Sequence, residues 1–112
     1  MTTTTNVGRF YFLTEEREPA QGSKIIKYDI VAYRPDNTIL KTHIGCLGPQ
    51  ALEFWRDNMI QFLDRLNVLY DALEMQEHNM SCYDKEGYES EYAHAMNQAK
   101  MIREWIKEIE EG

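Results

Sequence analysis

At 112 residues, with 43% hydrophobic and 28% charged side chains, the chain has the length and composition of one globular domain and not of a disordered segment. The net charge of −7 is uneven: residues 1–47 hold six Lys/Arg and five Asp/Glu, whereas residues 48–112 hold six and fourteen. Such an acidic balance argues against direct binding of nucleic acid or anionic membranes, and no apolar run approaches the roughly 20 residues that cross a bilayer.

Residues 1–8 open with a Thr-rich, aperiodic stretch that is expected to fray. They lack the basic and apolar pattern of a secretion leader. With Cys46 and Cys82 the two cysteines of the chain, the expected setting is cytoplasmic, with reduced thiols. The Asn79-Met80-Ser81 glycosylation tripeptide then carries no weight.

Residues 9–14 are aromatic and apolar enough for a strand, and residues 15–23, with Pro19 and Gly22, read as a solvated loop. Residues 24–34 alternate, with Ile26, Tyr28, Ile30 and Ala32 on one face and Lys27, Asp29, Val31 and Tyr33 on the other. Pro35-Asp36-Asn37 suits a tight hairpin returning through residues 38–44, because Pro fixes φ and Asn tolerates the left-handed region. A three-stranded antiparallel meander over residues 9–44 follows.

Gly45 to Pro49 separates sheet from helix, and Pro49 suits a first helical turn, where its missing N–H costs nothing. Leu52, Trp55, Met59, Phe62, Leu66, Leu69 and Leu73 recur at steps of three and four over residues 50–78. A break over 79–84 offers Ser81 or Asp84 as an N-cap, after which Tyr88, Tyr92, Ala95, Ala99, Ile102, Ile106 and Ile109 repeat the rhythm. Folding the seams together over residues 49–111 pairs Leu73 with Tyr88, Leu69 with Tyr92, Leu66 with Ala95, Phe62 with Ala99, Met59 with Ile102, Trp55 with Ile106 and Leu52 with Ile109. Ile60, Leu63, Met101 and Trp105 lie off the seam and are expected against the sheet. The expected fold is a single α+β domain of order β-β-β-α-α, the meander packed on a long C-terminal antiparallel two-helix hairpin.

Five candidate sites come from these elements. His43-x2-Cys46 and His78-x3-Cys82 resemble two halves of a zinc site, but a continuous helix over 50–78 separates them by about 40 Å, whereas ligands must converge within about 4 Å. One chain cannot close that site, nor bridge Cys46 to Cys82, and neither metal nor cofactor is expected. The Gly45-Cys46-Leu47-Gly48 turn could lower a thiol pKa through the helix dipole, yet no motif surrounds it and no catalytic residue is assigned. Asp57, Asp64 and Asp71 repeat every seven residues and form an acidic surface. The outer sheet face gathers Tyr11, Lys27, Tyr33, Lys41 and His43, with Arg34 nearby, as a site for a small anionic, nucleotide-like ligand.

Around the helical tip, Tyr70, Met75, Met80, Tyr83, Tyr88, Tyr92 and Met96 are the residue types enriched in interface cores, and they form the expected partner-binding surface. The function expected from this pattern is non-enzymatic: a homodimeric binding protein that inhibits or adapts a macromolecular, protein partner. An acidic nucleic-acid mimic, a role that virus-encoded counter-defence proteins fill, is a form of the same reading. Capture of the small anion is the alternative.

Overall fold

A computed structural model describes residues 1–19 and 22–112. Four strands, β1 (Thr2–Val7), β2 (Phe10–Arg17), β3 (Lys27–Tyr33) and β4 (Ile39–Leu47), form one antiparallel sheet in the order β1-β2-β3-β4. Two helices follow, α1 (Gly48–Cys82) and α2 (Glu89–Glu111). The expected α+β class and helical hairpin are present, but among the described residues the strands number four and not three. The chain forms two compact units, Met1–Asp64 and Arg65–Gly112, with the boundary inside α1.

The additional strand is the Thr-rich lead. Val7 pairs with Phe10 across the two-residue turn Gly8-Arg9, and Gly8 has the positive φ (60°) that such turns require. Thr2–Val7 then pairs along β2 from Glu15 to Phe10. β-Branched threonines favour extended backbone, and an edge strand with a largely exposed surface has no need of apolar alternation. The expected fraying is therefore corrected.

Phe10, Phe12 and Thr14 of β2 and Ile30 and Ala32 of β3 turn to one buried face, as the alternation of residues 24–34 requires. The expected loop over 15–23 starts later, because strand pairing continues to Arg17, opposite Lys27. Ala20 and Gln21 of that loop lie outside the described residues. The β3–β4 turn has the anticipated conformation: Asn37 has φ 69°, its N–H donates to Arg34 O, and the Asp36 carboxylate accepts from Thr38 N–H and hydroxyl.

β4 departs from simple alternation twice. Tyr33 pairs with Ile39 but Ala32 pairs with Lys41, so one residue is extra, and a second shift falls between Ile30↔His43 and Tyr28↔Cys46. A one-residue slip reverses the faces of every following side chain. Lys41, His43 and Cys46 thus share the face of Ala32, Ile30 and Tyr28. At the second irregularity Gly45 takes φ 79° and donates its N–H to the Asp29 carboxylate, which also pairs with Arg17 at 3.3 Å.

The same face receives the beginning of α1. His43 lies against Trp55 (ring centroids 4.1 Å apart), and Lys41 Nζ sits 4.3 Å from the centre of the Phe62 ring. Met59, between these positions in sequence, and Leu63, directly after Phe62, are buried. Trp55 and Phe62 therefore contact β4.

Phe12 is completely buried, so Phe12→Ala is expected to lower stability by about 3–5 kcal/mol in urea denaturation. The buried Thr14 hydroxyl has no hydrogen-bond partner among the described residues, and Thr14→Val, which removes it at similar shape, is expected to raise stability by about 1 kcal/mol in the same measurement.

Candidate partner-binding surface

In the Arg65–Gly112 unit, the end of α1 and all of α2 form the hairpin. α1 does not break at residue 79: it continues through Cys82, and the chain reverses over residues 83–88. α2 starts at Glu89 with Tyr88 at its N-cap and no side-chain cap, so neither Ser81 nor Asp84 serves there. The Glu89 carboxylate accepts from Gly87 N–H, and hydrogen bonds from backbone N–H groups hold its pKa below the ordinary value.

The point of reversal fixes the register. Glu77 meets Arg103 at 3.2 Å, and the Tyr70 hydroxyl reaches the Glu110 carboxylate at 3.4 and 3.5 Å. Leu69 shares a groove with Trp105 and Ile109, not with Tyr92. The expected pairing is displaced by more than three turns, because a helix continuing nine residues past Leu73 cannot also place Leu73 beside Tyr88. Leu66, Ala95, Ala99, Ile102 and Ile106 are still buried, so the seams were identified although their alignment was not.

The displacement alters which large side chains meet solvent. Trp105 and Met101, expected against the sheet, are 46% and 43% exposed, and Val68 is 66% exposed. Arg65, Val68, Leu69, Trp105 and Ile109 line an open groove of about 340 Å³ whose accessible lining is apolar. Sequence reasoning misses this surface: Val68 sits one position before a seam leucine, and Trp105 is expected against the sheet.

The tip residues divide. Tyr83 and Tyr88 have ring centroids 5.7 Å apart, and Tyr83 and Tyr92 line a shallow pocket with Asp84, Lys85, Glu86 and Glu89. Met75, Tyr88 and Met96 are exposed and Met80 is half-buried, whereas Tyr70 lies far from the tip, at the end of α2. Asp57, Asp64 and Asp71 are all exposed.

The proposed anion site is not assembled. Tyr11 and Tyr33 stack with centroids 5.1 Å apart, and the Tyr11 hydroxyl donates to Asn37 Oδ1. Arg34 is turned to the Ile39 carbonyl at 2.8 Å, and Lys27 lies six residues along β3 from Tyr33, about 20 Å at strand rise. Lys41 and His43 occupy the other face, moved there by the first slip in β4. Burial pushes the Cys46 thiol pKa up, with Asp29 adding to the rise, the wrong direction for an activated nucleophile.

No family model matches the chain, and neither a curated protein nor a solved structure shows significant similarity to it.

Burial, with Lys41 as the lesser cause, holds the His43 pKa below its ordinary 6.5. The unfolded chain therefore takes up that proton more readily. His43 contributes stability fully above pH 6.5, and the contribution is lost as the pH falls below 6.5 through the folded value. Urea midpoints of the wild type are expected to fall more steeply on acidification than those of His43→Gln. Parallel profiles would remove His43 as a source of pH dependence.

Proposed function

We propose that this chain is a non-enzymatic binding protein that self-associates through the α1–α2 face around Val68 and Trp105, and in that form inhibits or adapts a protein partner. The observation that carries the reading is the apolar groove itself, where a tryptophan and a valine are held open to water beside Leu69 and Ile109. Trp and Arg are the residue types that dominate binding energy at interfaces, and Trp105 and Arg65 both line this groove. A second copy is the occupant proposed, because each copy offers both projecting side chains and the hollow between them, as a two-fold contact requires.

Salt separates this from the acidic-decoy reading, which draws on the exposure of Asp57, Asp64 and Asp71. Residues 65–112 carry five Lys/Arg against eleven Asp/Glu, so association of two copies works against like charge and should strengthen as salt screens it. A decoy's attraction to a basic partner should weaken instead. Sedimentation equilibrium of the wild type is expected to show a dimer, with Val68→Glu and Trp105→Glu each monomeric and normally helical. A wild type that stays monomeric at high micromolar concentration, or dimers unaffected by both substitutions, would overturn the proposal.

A further inference from the structure

His78 and Cys82 lie one turn apart near the end of α1, both exposed, with Nε2 of the imidazole 3.4 Å from Sγ of the thiol. A spacing of four places them on the same face of the helix. Tetrahedral zinc binds thiolate at about 2.3 Å and imidazole at about 2.0–2.1 Å, so the sulfur and nitrogen of two ligands on one ion are separated by about 3.5 Å. The two groups are hydrogen-bonded to each other here, and their separation also matches that of two ligands on a single ion, which would replace that bond. Neither side chain has to change its helix or its turn.

The local electrostatics favour a cation. A helix C-terminus carries partial negative charge on its last carbonyls, and the last turn of α1 contains no basic residue to offset it. Met75, also exposed, lies on the same side of α1 two turns before Cys82.

Among the described residues no group of three or more His, Cys, Asp or Glu side chains converges on one point. One chain therefore supplies two ligands, and a structural zinc site takes four. We propose that His78 and Cys82 are half of a tetrahedral, zinc-type site that a second copy of this chain completes, giving two imidazoles and two thiolates about a two-fold axis through the metal. The two thiols each release a proton to solvent on binding, and two thiolates balance the dication, so no net charge is enclosed between the copies. The site uses none of the groove residues and does not rest on the groove reading.

Cobalt(II) is the probe, added to the full chain under phosphine reduction without oxygen, followed by zinc competition. The expected result is thiolate-to-cobalt charge transfer with the visible bands of tetrahedral cobalt, saturating at one metal per two chains as light scattering records a doubled mass. His78→Ala and Cys82→Ser, both on exposed positions, should lose the spectrum and the metal-dependent doubling while keeping wild-type helicity. Cys46→Ala should retain both, and Trp105→Glu should retain cobalt binding even where metal-free association is lost. Survival of the charge-transfer band in Cys82→Ser, saturation at one metal per chain with unchanged mass, or no charge-transfer band in the wild type would each overturn the proposal.

Discussion

In an antiparallel helix pair the position at which the chain turns back determines every contact that follows. Here α1 runs to Cys82 and the reversal occupies only residues 83–88, so α2 is laid along the last part of α1 and Arg103 meets Glu77. Had the reversal come four residues earlier, each helix position would have met a different neighbour, because residues rise about 1.5 Å apiece and each turn advances both helices together. The alignment leaves Val68 and Trp105 facing water, and it leaves His78 and Cys82 on an exposed face. The surfaces on which the functional reading depends are consequences of helix length before they are consequences of composition.

In the other unit the corresponding constraint is local and covalent in scale. Two slips in β4 decide that Lys41, His43 and Cys46 face α1 and not the open side of the sheet. Asp29 holds the second slip by accepting the Gly45 N–H, and Gly45 supplies the left-handed backbone that a residue with a side chain adopts only at a cost of roughly 1–2 kcal/mol. Without the first slip, Lys41 would oppose Val31 and His43 would oppose Asp29, on the face that bears Tyr11 and Tyr33. The aromatic and basic residues would then have been neighbours.

Periodicity made the elements legible and left their alignment unread. The alternation over residues 24–34 placed Ile30 and Ala32 in the core, the Pro35-Asp36-Asn37 hairpin was visible from its turn chemistry, and both helical seams were found. Thr2–Val7 is not legible from periodicity, because an exposed edge strand need not alternate and its β-branched threonines are also polar. The end of α1 lies past the expected break because Asn79 and Ser81, which favour caps and turns by propensity, are helical here. Of the candidate surfaces, the Tyr83, Tyr88 and Tyr92 cluster was legible since it follows from nearness in sequence; the Val68 and Trp105 groove was not, since it depends on register.

The groove is small for a stable interface, and in the proposed dimer symmetry is the physical reason it could suffice. Association must overcome an estimated 4–15 kcal/mol of lost translational and rotational freedom, while truncating one buried hot-spot side chain typically costs about 2 kcal/mol or more. In a two-fold contact each anchor occurs twice, so Trp105, Val68 and Arg65 enter as six residues rather than three. A heterologous partner docking on the same groove would receive each of them once and would have to bring anchors of its own. The excess of acid over base in residues 65–112 raises the threshold further for any second copy and makes the apolar anchors the decisive term. An apolar groove in an acidic unit is therefore best matched by a contact that uses every anchor twice.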